Sequence, residues 1–509
     1  MLDRRAAWSL PALFAAVALA CWLAPRLSSP AARRAAALGA APSSPRTSAA
    51  PPAAAPARPL DGVRWIVAGG GPSPELNQLQ IEQDLLLARD VFTGLGEGLV
   101  LFAGGPSGAA VQELRADADA DPLRARLGEL FDPRGGRDAR YRRPRLAAGG
   151  AATEEALLEA LRGAILEPDA PLTMFLAGHG VGGETPGESR FLTWGNGAIT
   201  VDALAQILDE APGHRPVRMV ITSCRAGGFA ELVFAGGYAE QGPAQTDRCG
   251  FFATTWDRDA AGCDSSPDRA AHEGYGIHFL SALRGQDRDG GAAMDAIDLD
   301  RDGTVSLLEA HTRARIASGS FDVPVTTSEH YLRAVAPEEP PRRAPAPAAL
   351  PAERAVVRGL AARLGLARPE DVSARLDAVH SRIEPLVARL DAIDEEIARA
   401  REALAAELLH RWPVLDDPWH PDFEVTLGGE RAAIEAYLAA SDAATRAAEL
   451  AAEREPLAAT HDDLVAQAAP MERLERALET LELAARLEAE GGRHWLRYQR
   501  FVACESGRP

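Results

Sequence analysis

Two apolar runs in this chain each deliver one reactive side chain into a turn rich in glycine. Leu172–Ala177 leads into Gly178-His179-Gly180, and Val217–Thr222 leads into Ser223-Cys224-Arg225-Ala226-Gly227-Gly228. An imidazole and a thiol together can break an acyl bond. The thiolate attacks the carbonyl carbon, and the imidazole moves protons to the leaving amine. The backbone N–H groups of Gly180 and Cys224 are candidates for stabilising the oxyanion. A helix starting near Gly227 would bring its positive end to the thiol. Either residue alone has an ordinary explanation: a structural hydrogen bond for the His, a small buried apolar group for the Cys. The ordered pair is more specific, since both sit at strand ends with glycine neighbours that let a substrate backbone approach.

Such a pair needs a scaffold that brings two strand ends together. Strand-like runs occur at Val63–Ala68, Gly98–Phe102, Leu172–Ala177, Val217–Thr222 and Gly250–Thr255. Helical patterns occur between them, at Leu79–Phe92, Thr153–Ile165, Val201–Glu210, Gly227–Phe234 and Gly274–Leu283. This alternation predicts a mainly parallel sheet covered by helices on both faces, with the site at the carboxyl ends of the strands.

On these residues the chain resembles the caspase-like peptidases, the clan of caspases, metacaspases, legumains and gingipains. Gly178-His179-Gly180 is similar to the clan's His-Gly motif, and Ser223-Cys224-Arg225-Ala226-Gly227 to its small-residue-Cys motif. The caspase His lies about 50 residues before its Cys, a similar interval. Gly250-Phe-Phe-Ala-Thr-Thr-Trp256-Asp257, followed by Ala261-Gly-Cys-Asp-Ser265, resembles the strand and loop after the legumain nucleophile. The resemblance covers residues 61–335 and stays at the level of motifs. Thr222-Ser223 stands where a caspase has Gln-Ala, and Arg225 where legumains usually carry an acid. It implies an α/β fold, a caspase-like mainly parallel sheet sandwiched by helices. The implied activity is cysteine endopeptidase, with His179 and Cys224 as the dyad and Gly180 in the oxyanion hole. Thr254, Thr255, Trp256, Asp257, Asp259 and Asp264 would line the substrate cleft, and the three acids would favour a basic substrate residue. The competing expectation is an inert caspase-fold scaffold, or a calcium-binding assembly protein, that binds partners through its helical tail.

A second motif stands on spacing alone. Asp298-Leu-Asp300-Arg-Asp302-Gly303-Thr304-Val-Ser306-Leu-Leu-Glu309 matches each position of an EF-hand calcium loop. Ligands would be Asp298, Asp300, Asp302, the Thr304 carbonyl, Ser306 and bidentate Glu309, with Ca2+ structural or regulatory. Arg284–Ala296, before the loop, is not helical in pattern, so only half of the usual two-helix unit is expected. The alternative is an acid-rich turn capping the helix that Glu309 opens.

The formal charge of −19, from 54 basic and 73 acidic side chains, argues against a nucleic-acid surface. Every one of the basic 54 is arginine, a composition that looks like the coding bias of a GC-rich bacterial genome. Residues 1–25 read as an export signal, Arg4 and Arg5 preceding an apolar stretch. Cleavage after Ala20, retention as a membrane anchor, and lipidation at Cys21 are its three outcomes, all placing the protein outside the cytoplasm or at the envelope. Residues 26–60 read as a Pro/Ala linker and 336–353 as a second one. The five cysteines form no CxxC pair or zinc spacing; Cys249 and Cys263 are the disulfide candidates in an oxidising compartment.

Residues 354–509 read as an all-α coiled-coil or bundle region, a packing or homo-oligomerisation module. Leu376, Val379, Ile383, Leu386, Leu390, Ile393 and Ile397 form a heptad seam, with a kink or break expected at Pro385. Helices at Glu430–Glu453 and Pro456–Glu490 would complete an antiparallel hairpin. Cys504-Glu505-Ser506-Gly507 mimics a legumain nucleophile motif but has no strand before it.

Overall fold

The structure, a computed structural model, describes residues 62–106, 111–114, 121–131, 139–166, 171–211, 215–291, 294–338, 349–418 and 420–509. The expected export segment, Cys21, the 26–60 linker, most of the second linker and Trp419 lie outside them. Among the described residues no helix is long and apolar enough to cross a membrane.

The chain divides into two compact units that do not follow the linear boundary expected at 336–353. The first, an α/β unit, takes in residues up to 115, then 139–379 and 465–509. Its elements begin β1 (Val63–Gly70), α1 (Leu79–Phe92), β2 (Glu97–Phe102), β3 (Val111–Leu114), β4 (Ala139–Arg142) and, after a helix α2 (Pro122–Phe131) that belongs to the other unit, α3 (Glu154–Ile165). They continue with β5 (Leu172–Gly178), β6 (Gly180–Val181), β7 (Arg190–Thr193), β8 (Gly197–Thr200), α4 (Val201–Asp209), β9 (Val217–Thr222) and β10 (Arg248–Phe252). After these come α5 (Tyr275–Leu283), α6 (Leu307–Ala317), β11 (Val325–Thr326), α7 (Thr327–Val335) and α8 (Pro351–Leu364).

The central sheet has six strands in the order β11-β10-β9-β5-β1-β2, all parallel except β11. Period-2 alternation decides which face each residue takes. Ile66, Ala68, Met174, Leu176, Met219, Ile221 and Phe252 pack in one cluster with α3 and α4. Trp65, Val67, Phe175, Ala177, Val220 and Phe251 pack in another with α1 and α5. Burial on both faces explains why these strands are near-continuous apolar runs rather than alternating ones. The small β6-β7-β8 sheet and the β3-β4 pair add to the expected set. One expected helix differs. The segment after Cys224 is a 3-10 helix, Ala226–Val233, entered through Arg225 at φ 60°, so the tighter, shorter dipole array supplies less potential than the expected α-helix.

The other unit comprises 121–131 and 380–464 among the described residues. Helix α9 (Val372–Arg411) runs through Pro385 without a break, and α12 (Asp442–Glu490) runs through Pro456 where two helices were expected. Between them lie α10 (Phe423–Gly429) and α11 (Arg431–Ala440). Ile393 and Ile397 pack on Leu450, while Asp394–Arg454 (2.6 Å), Glu396–Arg446 (2.7 Å) and Arg389–Glu453 tie α9 to α12. The heptad seam holds except at one place. Val387 is buried and Leu386 only half so, because helical period places i+4 from Ile383 on the packed face.

The final helix, α13 (Gly492–Glu505), returns to the α/β unit, and this overturns the expected disulfide. Cys249 bonds Cys504, 255 residues away, with Cα atoms 6.0 Å apart. Cys249 lies inside β10, whereas Cys263 lies on the loop beyond the strand's end, so nearness in sequence did not bring the two together. Next to the disulfide, Glu505 is fully buried and accepts hydrogen bonds from Thr327 Oγ1, Ser328 N and Ser328 Oγ. Burial outweighs these donors and pushes its carboxyl up to about 7.

Because the folded chain favours protonated Glu505, that contribution is whole below the ordinary carboxylate value and is lost as pH rises to about 7. Chemical denaturation should show stability falling between about pH 4.5 and 7, and Glu505→Gln should flatten this fall by at most about 3 kcal/mol.

Candidate active site

Strands β5 and β9 are parallel neighbours, with Ala177 opposite Thr222. Two residues beyond each partner stand His179 and Cys224, so the register brings the two residues to neighbouring positions beyond the strand ends. Of the two strands, β5 also neighbours β1, where the strand order reverses (β2-β1-β5), the kind of place where open α/β sheets collect their sites. Backbone approach is close here. A Cβ on Gly180 would stand 2.1 Å from the Cys224 carbonyl oxygen, and one on Gly227 would stand 2.6 Å from that of Thr254. The glycines around His179 and Cys224 therefore serve packing of backbone on backbone at these positions.

His179 is fully buried. Its Nε2 lies 2.8 Å from the Leu76 carbonyl and 2.8 Å from Gln78 Oε1, both acceptors. In the neutral ring this assigns the proton to Nε2 and leaves the lone pair on Nδ1. The 71–78 loop that supplies both acceptors is itself pinned where Gly71 N donates to Asn77 Oδ1 at 3.1 Å. Sequence reasoning missed Leu76 and Gln78. The available signal was Gly69-Gly70-Gly71, a third glycine run at the end of a strand.

The loop after β10 covers both members of the pair. Ala260 N donates to Cys224 Sγ at 3.4 Å, and the Cys224 thiol faces the Ala260 carbonyl at 3.8 Å. Cys263 Sγ stands 3.7 Å from His179 Nδ1. Cys224 is 3 % exposed and Cys263 partly exposed. The loop is anchored where Ala261 N and Tyr275 N each donate to Asp322 at 2.7 Å. Burial pushes the Asp322 carboxyl up, against the pull of those N–H groups. On its far side Gln80 N donates to the Asp264 carbonyl and Asp264 N to Gln80 Oε1.

The expected cleft residues are all on this loop, but their acids are engaged. Asp259 pairs with Arg225 at 3.3 Å, Asp257 accepts from Thr255 Oγ1 at 2.5 Å, and Asp264 accepts from Ser266 N at 2.7 Å. Thr254 is buried, and Trp256 is half-buried beside Gly227. The Arg225 guanidinium meets the charge on which a basic-residue preference would rest at Asp259.

At residues 298–309 the carboxylates of Asp298, Asp300 and Asp302 converge within 4.8 Å. Asp298 accepts from Asp302 N (3.2 Å) and Gly303 N (2.9 Å), and Gly303 takes the sharp turn at φ 84°. Glu309 reaches back, one oxygen to Leu299 N and the other to Ser306 N and Oγ. Thr304 donates through N and Oγ1 to Asp302. Although the Asp302 N–H lowers it, the Asp300 carboxyl is held above its usual range by desolvation and the Glu309, Asp302 and Asp298 charges. Excess negative charge of this kind suits a divalent cation, and the oxygen donors fit calcium. Arg508 meets part of it, pairing with Asp302 at 3.1 Å.

No protein-family description matches this chain, and no curated protein matches it. Among solved structures it is similar to a structural-genomics target protein from Geobacter sulfurreducens, at 11% identity and a TM-score of 0.26, over 43% of this chain and 81% of that one.

Gly180→Ala should destabilise the full chain by about 1–3 kcal/mol, because the new methyl meets backbone that cannot yield. Gly187, whose Cβ would meet nothing within 4 Å, is the control. Its Ala variant should stay within about 0.5 kcal/mol in the same denaturant titration.

Proposed function

We propose that the α/β unit is a caspase-like cysteine endopeptidase in which Cys224 is the nucleophile and His179 the acid–base. The observation that carries this reading is that both residues stand two positions beyond the paired Ala177 and Thr222 of adjacent parallel strands, β5 of which borders the switch point. In the proposed reaction the Cys224 thiolate attacks the peptide carbonyl carbon, and the C–S bond forms as the oxygen takes the charge. The N–H groups of Gly180 and Cys224 would receive that charge. The imidazolium, which holds the proton taken from the Cys224 thiol, then protonates the amine as the C–N bond breaks, and water hydrolyses the thioester to the acid and the free thiol. Leu76 O and Gln78 Oε1 hold the ring so that Nδ1 does the proton transfer. Substrate must displace Ala260 and Cys263 from the two reactive atoms.

The 298–309 loop is proposed to hold Ca2+ through Asp298, Asp300, Asp302, the Thr304 carbonyl, Ser306 and Glu309. When bound, the ion would supply charge neutralisation and rigidity at the start of α6. The Cys249–Cys504 disulfide supports an exported, oxidising location, with a peptide or protein as substrate. One observation favours the alternative of an inert scaffold: Cys224 is 3 % exposed and bracketed by Ala260.

The deciding experiment is hydrolysis of a fluorogenic peptide library by the full chain. Wild type should cleave, and Cys224→Ala should lose at least about a thousandfold in rate; no hydrolysis by folded wild type, in calcium or chelator, assigns the scaffold. Separately, millimolar calcium should raise the melting temperature of wild type and leave Asp298→Ala unmoved. Equal melting curves with calcium and chelator would remove the ion from the account.

A further inference from the structure

Among the described cysteines, Cys249 and Cys504 are locked in a disulfide, which leaves Cys224 and Cys263 as thiols. Their surroundings differ in a way that assigns them different chemistry. Cys224 is 3 % exposed, its sulfur held between the N–H and the carbonyl of Ala260. Cys263 is partly exposed and faces His179 Nδ1 at 3.7 Å. With Nε2 committed to Leu76 O and Gln78 Oε1, Nδ1 of the neutral ring holds no proton, so the Cys263 S–H is the donor of that contact. The lone pair of the ring thereby faces the Cys263 thiol, on a residue that keeps partial exposure.

We propose that Cys263 is a redox-modification site, activated by His179, at which hydroperoxides are reduced and by which the dyad is shut. His179 Nδ1 takes the thiol proton and the sulfur attacks one peroxide oxygen. The O–O bond breaks, and the departing oxygen takes the proton from the imidazolium to leave as water or an alcohol. Sulfur is oxidised by two electrons to the sulfenic acid, and the peroxide is reduced by two. A low-molecular-mass thiol reverses the step. It condenses with the sulfenic acid to a mixed disulfide and water, and a second equivalent releases Cys263 as the thiol with formation of the small disulfide. While oxidised, Cys263 keeps Nδ1 from serving Cys224. The same tetrapeptide, Ala260–Cys263, also covers the Cys224 sulfur, so a modified loop closes over both reacting atoms. An exported chain meets hydroperoxides and small thiols outside the reducing cytosol, where such a site has something to sense.

The consequence for catalysis rests on the peptidase reading; the modification does not, and the test separates them. The full chain is treated briefly with hydrogen peroxide, sulfenic acid is trapped with dimedone, and labelled peptides are quantified by mass spectrometry. Iodoacetamide rates are measured on the untreated chain in parallel. Cys263 should carry the dimedone adduct and alkylate at least about tenfold faster than Cys224, and this ratio should fall to near one in denaturing urea. His179→Gln, checked for folding by the intact Cys249–Cys504 bond and circular dichroism, should slow Cys263 by about tenfold or more. Equal rates at the two thiols in the folded chain, or a Cys263 rate untouched by His179→Gln, would overturn the proposal. If His179→Gln does not fold, the folded-to-urea ratio in wild type decides alone. Labelling as expected in a chain that hydrolyses no peptide would keep the site and remove the peptidase.

Discussion

The hydrogen-bonded register between β5 and β9 is the constraint on which the site depends. Parallel pairing fixes the offset between two strands over their whole length, so Ala177 opposite Thr222 determines where the chain two residues further on must be. A slip of one residue would turn every side chain of one strand to the other face, burying Val220 where Ile221 packs. The two apolar clusters therefore hold the register, and the register holds His179 beside Cys224. Both strands end at glycine-containing turns because the backbones converge there too closely for a side chain.

Above the strand ends, positioning passes to loops. The 71–78 loop offers two acceptors to His179 Nε2, and the 260–264 loop meets both the opposite ring nitrogen and the Cys224 sulfur. Each loop is tied to a buried side chain, the first through Asn77 and the second through Asp322. Such anchors let irregular backbone keep a fixed geometry without the ladder of a sheet. They also explain the depth of the pair: Ala260 backbone closes over the Cys224 sulfur, and the Cys263 side chain meets His179 Nδ1.

The chain's end is a structural part of the α/β unit. Cys504 is bonded to β10, Glu505 is buried against the start of α7, and Arg218 of β9 donates to the Cys504 carbonyl at 3.2 Å. Gly507 O accepts from Leu307 N, the first residue of α6, and Arg508 meets Asp302 of the carboxylate loop. One short segment thus joins β10, the strand after Cys224, to the acidic loop by covalent, hydrogen-bonded and ionic contacts. A helix-capping motif, Ser306 with Glu309, and the calcium-loop spacing coincide there, so the same carboxylate serves the helix N-terminus and faces the loop.

Much of this was legible in sequence. Local periodicity marks β1, β5, β9, α1, α3, α4 and α5 to within a residue or two, because strands buried on both faces and amphipathic helices write their packing directly into residue order. Spacing and glycine neighbours picked out His179, Cys224 and the 298–309 loop for the same reason: local geometry is a property of local sequence. What only tertiary structure decided depends on residues distant in the chain. The partner of Cys249, the acceptors on His179, the ion pair that meets Asp259, the return of α13 to the α/β unit and the passage of α12 through Pro456 are of this kind. Each is settled by which surfaces find each other when the core closes. Sequence order carries no direct record of that choice, because the free energy of burial depends on area and fit rather than on separation along the chain.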